Sequence, residues 1–257
     1  MSGTVHVTRP LQHIVHLEID SPPMNALGRA MCGAMLEALD EAESDAGARV
    51  VVITGRGPAF CAGADLKEGR SPPEGASGTP VGVGGFGRVL ARLGALRLPT
   101  LAAVNGHSIG GGFELALACD LRIASTTARF AGAGVNVGLM ASTYRLPRLI
   151  GVARAKAMLL TGLACDAVQA EQWGLVTALH PPEALAGAAL ELAARIASRA
   201  PLSVEAAKRT IDAAMHLSPA EADQMAAAEL AILTRSQDHR EALAAFREKR
   251  EPRFVRG

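Results

Sequence analysis

Ala103-Val-Asn-Gly-His-Ser-Ile-Gly-Gly-Gly-Phe-Glu114 carries an apolar run into a glycine cluster and then directly into Leu115-Ala-Leu-Ala-Cys119. The unalternated apolar residues of Leu101 to Val104 predict a strand covered on both faces. Ile109 to Ala118 predicts a helix entered through glycines, and Leu121 to Ala124 a further strand. This order of strand, turn, helix and strand indicates an α/β protein, which places ligands in the loops at strand ends.

The pattern extends upstream. Val50 to Thr54 is a continuous β-branched run closed by Gly55-Arg-Gly-Pro58, a second buried strand ending in a loop. Leu27 to Ala42 has apolar residues at helical spacing with Asp40 and Glu41 on the wet side. Val5 to Val7 and His13 to Ile19 alternate around Pro10 and predict an antiparallel opening pair. Gly69 to Gly87 is dominated by Gly, Pro and Ser and reads as a mobile loop. After Gly151 the periodicity is helical through Arg240 to Glu248, interrupted by a strand-like Leu175 to Leu179, with Pro201 and Pro219 as helix starts. The expectation is an α/β core over residues 1–198 and a helical region over 199–257, with no internal repeat.

At 257 residues and 49% apolar, the chain can bury a large core. Its formal charge of +1 gives no general attraction to nucleic acid or an anionic bilayer. Cys32, Cys61, Cys119 and Cys165 are far apart, form no C-x-x-C pair and have no histidine at metal-ligand spacing, so no metal is expected and the thiols read as reduced. No apolar stretch has the length of a membrane span, and the first ten residues have no apolar signal core. A cytoplasmic location follows as the expectation.

The glycine cluster supports two chemistries. Gly106-His-Ser-Ile-Gly110 matches G-x-S-x-G, which in a strand-turn-helix setting exposes a nucleophilic serine. Ser108 would then need an acid and a histidine, for which Asp166 with His180, or Asp212 with His216 or His239, are available. Alternatively, consecutive glycines at a helix start leave backbone N–H groups uncovered for an oxyanion. Phe60-Cys-Ala-Gly-Ala-Asp-Leu-Lys67, after the Val50 strand, offers a second small-residue turn. Each donor aimed at a developing oxyanion is worth about 3 kcal/mol, so two would outweigh most single side chains.

Val51-Val-Ile-Thr-Gly-Arg-Gly-Pro-Ala-Phe-Cys-Ala-Gly-Ala-Asp-Leu-Lys-Glu68 resembles the first signature of the crotonase, or enoyl-CoA hydratase/isomerase, family. Ala103-Val-Asn-Gly106, the triple glycine and Glu114 through Ala124 resemble its central motif, and the likeness runs from Asn25-Ala-Leu27 to Phe246-Arg-Glu-Lys-Arg250. The resemblance implies an α/β spiral of ββα units with a C-terminal helical layer, assembled as a homotrimer or a dimer of trimers. It implies an acyl-CoA substrate with no separate cofactor, and the N–H groups of Ala64 and Gly111 as the oxyanion hole. The Gly69 to Gly87 loop would be a substrate lid.

Glu114 falls in the first turn of the expected helix, where the dipole favours a carboxylate. By the resemblance it matches one of the two catalytic glutamates of the family's hydratases, which activates the water adding to the β carbon. The other matches Gly134 in Ala128-Arg-Phe-Ala-Gly-Ala-Gly-Val-Asn-Val-Gly138, so that carboxylate is absent. The following Leu139-Met-Ala-Ser-Thr-Tyr-Arg-Leu146 is shorter than the family's usual stretch. Asn136, Ser142, Thr143 and Tyr144 are the polar residues near the vacancy, and only Tyr144 among them could donate a proton.

For the anionic nucleotide of CoA, Lys67 and Lys249 match family positions that approach it, and Ala62, Asp65 and Leu66 complete the expected binding set. The other reading of the basic C-terminus is a solvated helix end in which Arg247, Arg250 and Arg253 alternate with Glu248 and Glu251. Asp65 and Asp120 read as braces of their turns, and His107 as pointing away from the site. Hydration of a 2-enoyl-CoA is the leading expectation, with another acyl-CoA reaction or acyl-CoA binding without turnover as alternatives.

Overall fold

The computed structural model describes residues 3–65, 68 and 81–257. It opens on β1 (Thr4–Thr8) and β2 (Ile14–Asp20), antiparallel as expected, with Thr4 opposite Asp20. The two-residue strand β3 (Ala26–Leu27) precedes α1 (Arg29–Ser44). The helix therefore begins after Leu27, and its buried stripe of Met31, Cys32, Met35, Ala38, Leu39 and Ala42 keeps helical spacing.

The next strands fall into a repeat that the sequence does not display. β4 (Val50–Gly55), β5 (Ala59–Cys61) and β6 (Gly63–Ala64) are followed by α2 (Val81–Ala95), and β7 (Thr100–Val104) and β8 (His107–Ile109) by α3 (Gly111–Ala118). β9 (Leu121–Ser125) and β10 (Arg129–Ala131) lead through a 3-10 turn at Ala133–Val137 to α4 (Arg145–Ile150). In each unit the first strand joins one sheet and the next joins another: β4, β7 and β9 are parallel neighbours, and so are β5, β8 and β10. Later come α5 (Val152–Thr161), β11 (Cys165–Asp166), α6 (Ala167–Gln172) and β12 (Leu179–His180). They complete sheets of order β1-β2-β4-β7-β9-β12 and β11-β10-β8-β5, with β3 pairing β6 apart from both. A spiral of ββα units needs only matching burial patterns in successive turns, which is why no sequence repeat betrays it.

Strand period divides β4 between two cores. Val51 and Ile53 face the main core with α1, α2 and α3, whereas Val50 and Val52 join Leu101, Ala103 and Ile123 beneath Leu185, Ala189, Ala193 and Ala197 of α7 (Leu185–Ala197).

Two expectations are corrected here. Residues 81–87 belong to α2 rather than to a loop, because Phe86, Val89 and Leu93 recur at helical spacing and are buried in the main core. Tertiary burial overrides the poor helix propensity of Gly82, Gly84, Gly85 and Gly87. The part of the expected lid over 69–80 lies outside the described residues. Leu175 to Leu179 is not a strand throughout. Leu175 and Val176 are packed in the core, Thr177 N–H donates to the Arg122 carbonyl and the Ala178 carbonyl accepts from Ala124 N–H, and the strand ladder with β9 begins at Leu179 and His180.

The C-terminal region comprises α8 (Pro201–Ala214), α9 (Pro219–Leu233) and α10 (Gln237–Glu248), with proline at the first position of α8 and α9 as expected. It is tied to the core through Glu205, 5% exposed, which accepts from Arg97 at 2.9 Å and from Arg256 at 2.9 and 3.0 Å. Lys208 reaches Asp120 at 2.9 Å, and Arg49 donates to the Phe254 carbonyl at 2.6 Å.

Burial pushes the Glu205 carboxyl up, but the Arg256 and Arg97 guanidiniums outweigh that effect and hold it below the ordinary glutamate range. A depressed acid contributes stability at neutral pH that is lost as pH falls through its folded value. Glu205→Gln, which leaves two arginines short of their buried anion, is expected to lower unfolding free energy by about 3 kcal/mol at pH 7. In urea titrations that deficit should shrink below about pH 4.3 as the wild-type carboxyl protonates. An equal deficit at pH 7 and pH 3 would contradict the ion-pair account.

Candidate active site

The loop after β5 and the start of α3 meet backbone to backbone. Gly63 has φ +92°, a region L side chains rarely adopt, and a Cβ there would lie 2.6 Å from the Gly111 nitrogen. A Cβ on Gly111 would in turn lie 3.1 Å from the Ala64 nitrogen. One helical position on, a Cβ at Gly112 would run into the Cys61 carbonyl. The glycines are thus a condition of contact between two strand-end loops, and that contact brings Ala64 and Gly111 together.

Two asparagine amides hold the approach, Asn25 buried and Asn105 half-buried. Asn25 donates to the Arg56 and Ala59 carbonyls at 2.9 and 2.7 Å, and its own carbonyl accepts from Ser21 N–H at 2.9 Å. Asn105 accepts from Gly55 N–H at 3.1 Å and donates to the Gly57 carbonyl at 2.9 Å. Ala62 and Asp65 donate to the Met24 and Leu27 carbonyls at 2.9 and 3.2 Å, which attaches the β6 segment to the chain entering α1. At the far end of α3, buried Arg122 donates to the carbonyls of Ala116 and Cys119 at 3.4 and 2.6 Å, so the helix is fixed at both ends.

Above this junction lies a cleft of about 440 Å³, bordered by Ala62, Ala64, Ile109 and Gly111 on one side. Phe86 and Leu90 of α2 and Val137, Leu139 and Met140 of the segment after β10 form its apolar walls. Glu114 and Arg145 are the only charged residues lining it among those described. The Glu114 side chain is 14% exposed; its Oε1 accepts from Ser142 N–H, and its Oε2 lies 3.5 Å from Arg145 Nη1. A carboxylate beside converging backbone segments, in a cleft with apolar walls, can move a proton at a carbon next to a stabilised carbonyl.

The expected set is only partly assembled. Ala62, Ala64, Gly111 and Glu114 share the cleft. Asp65 follows in the chain, and its carbonyl accepts from Glu68 N–H at 3.3 Å. Leu66 and Lys67 lie outside the described residues. Lys249 is exposed in a left-handed conformation at the end of α10 and does not line the cleft, while Arg250 pairs with Glu241 and Glu248.

Gly134 does line the cleft, in the 3-10 turn, but it is buried against chain rather than against open space. A Cβ there would lie 3.0 Å from Leu139 O and Met140 C and 3.1 Å from Ala141 N. The residues considered as substitutes for a second carboxylate point elsewhere. Asn136 donates to the Gly162 carbonyl at 3.2 Å, and Tyr144 hydrogen-bonds His216 at 2.6 Å under the Arg148 guanidinium. Ser142 is buried, and Thr143 is exposed outside the cleft lining.

The serine-nucleophile reading fails on position. Ser108 is fully buried and its hydroxyl donates to the Gly112 carbonyl at 3.2 Å, while His107 is exposed and outside the cleft. Asp120 braces its turn, accepting from Thr100 N–H at 2.7 Å. All four cysteines are free and buried, and burial pushes Cys61 and Cys119 up to about 12. Among the described residues no cluster of His, Cys, Asp or Glu could hold a metal ion, and no helix is long and apolar enough to cross a membrane. Arg145 was not among the residues the sequence pointed to: Ser142, Thr143 and Tyr144 precede it and Arg148 follows, so nothing local sets it apart.

The profile of the enoyl-CoA hydratase/isomerase family matches residues 11–256. An enoyl-CoA isomerase/hydratase, fer4, of Mycosarcoma maydis is 36% identical over 95% of this chain and 93% of its own length. The (E)-benzylidenesuccinyl-CoA hydratase of Thauera aromatica is 38% identical over 94% and 95%. The crystal structure of an enoyl-CoA hydratase from Bacillus anthracis superposes with a TM-score of 0.94 at 34% identity, covering 99% of this chain and 100% of that one. With its ββα spiral and acyl-CoA chemistry, the chain belongs to the enoyl-CoA hydratase/isomerase family.

Proposed function

We propose that the protein hydrates a 2-enoyl-CoA, with Glu114 as its single catalytic carboxylate and the N–H groups of Ala64 and Gly111 as the oxyanion hole. The observation that carries this reading is the convergence of those three residues in one cleft. Polarised by two N–H donors, the thioester carbonyl draws electron density from the double bond, and water oxygen bonds to the β carbon as Glu114 takes its proton. The enolate then collapses as that proton is delivered to the α carbon, so one carboxylate can both remove and return it. No separate cofactor is needed, because CoA enters as part of the substrate.

The apolar walls favour a hydrocarbon acyl group, and Lys67 and Lys249 are our candidates for the CoA nucleotide, the latter from a neighbouring subunit. A homotrimer or dimer of trimers fits α9, which buries no residue within the chain, and the exposed Ile211, Leu230, Ile232 and Phe246 nearby in sequence. The four free thiols suit a reducing compartment, and the cytoplasm is our proposal; relatives from mouse and Arabidopsis are named as mitochondrial proteins.

Loss of enoyl-thioester absorbance on adding the protein to crotonyl-CoA tests the reaction. Glu114→Gln is expected to cut turnover about 10²- to 10⁴-fold while butyryl-CoA still binds. Tight binding by wild type without turnover of crotonyl-CoA would reject its hydration and favour a binding role or other thioester chemistry. Gly134→Glu is expected to lower rather than raise activity, since its Cβ meets the 139–141 backbone before any carboxylate could reach the cleft. Light scattering should give a mass three or six times that of the chain, and Ile232→Glu should reduce it if α9 is an interface.

A further inference from the structure

We infer that Glu114 is aimed by a two-point clamp, formed by Ser142 N–H on one carboxylate oxygen and the Arg145 guanidinium on the other. Position 134 is glycine so that the segment carrying this clamp can close. The inference rests on Glu114 being the proton-transfer group and assigns Ser142 and Arg145 a positioning role.

The clamp belongs to one short stretch of chain. After β10, Leu139 N–H donates to the Gly134 carbonyl at 2.8 Å, which folds residues 139–141 flat against Gly134. Any Cβ at 134 would press on that backbone at 3.0 to 3.1 Å, tighter than packed atoms ordinarily allow. The chain then turns at Ser142, whose φ of +61° lies in the left-handed region that serine seldom occupies. With its hydroxyl buried and unpartnered, Ser142 contributes its N–H, which donates to Glu114 Oε1. Leu146 N–H then donates to the Ser142 carbonyl at 3.2 Å, so the same residue sets the start of α4 and with it Arg145. Buried Leu146 and the outward Tyr144 to His216 contact leave Arg145 as the side chain of this turn that faces the cleft.

An ionised carboxylate has about four lone-pair sites. Ser142 N–H engages one on Oε1, the Arg145 guanidinium stands beside Oε2 as an ion pair at 3.5 Å, and the others are left for water in the cleft. A lone catalytic carboxylate has no second one across the site to fix the water, so its own orientation decides whether attack is aligned. A misplacement of about 1 Å can cost on the order of 100-fold in rate.

The test pairs kinetics on crotonyl-CoA with a readout independent of turnover. Arg145→Gln should lower kcat by about 10- to 100-fold with KM little changed, and Arg145→Lys should recover part of the loss. Gly134→Ala should lower kcat in the same way, and the double variant should lose little more than either single one, because both act on one segment. A rise in KM at unchanged kcat, or full additivity, would overturn the clamp. Amide exchange at Ser142, followed by NMR, should accelerate in Glu114→Ala, which removes the acceptor. If it does so although no crotonyl-CoA is hydrated, the clamp stands and the hydratase reading falls. If Ser142 exchanges equally fast in both proteins, the clamp is wrong whatever the activity.

Discussion

Two loops from successive turns of the spiral touch at Gly63 and Gly111 with no side chain between them, and the active-site cleft depends on that contact. Backbone groups can converge on a substrate atom only if nothing bulkier than hydrogen separates the segments that carry them. The contact in turn requires the small strands β5 and β8 to lie side by side, which follows from β4 and β7 being neighbours in the larger sheet. Buried Asn25 and half-buried Asn105 supply hydrogen bonds that these tight turns would otherwise lack.

The charged part of the site is built differently. Glu114 comes from the rigid first turns of α3, whose far end is fixed by Arg122, whereas its partners come from an irregular segment after β10. A helix thus carries the carboxylate that we propose reacts, and an irregular segment supplies the partners of its two oxygens. The apolar walls keep the local dielectric low, which strengthens both the ion pair and any backbone dipole turned into the cleft.

The C-terminal helices present a contrast. Their inner side is fastened by a buried carboxylate between two arginines and by the Arg49 contact to the chain end. Their outer side keeps large apolar residues in solvent, with Phe246 84% exposed. Such a surface suits association better than isolation.

Much of this was legible in the sequence because it rests on local rules. The β-branched run at Val50, the glycines entering α3, the amphipathic spacing of α1 and the prolines opening α8 and α9 each specify their element through periodicity or backbone freedom, and Glu114 was visible from its place in a motif. Other features required the folded chain. The glycine-rich segment 81–87 is helical because Phe86, Val89 and Leu93 find a core to enter, and no local rule reveals that core. Gly134 looked like an empty catalytic slot, yet it is packed against residues 139–141, and Arg145 became Glu114's partner only through the left-handed turn at Ser142. The sequence by itself determined which backbone conformations each segment could adopt. Tertiary structure decided which segments meet, because a contact between residues far apart in the chain depends on the burial and register of everything between them.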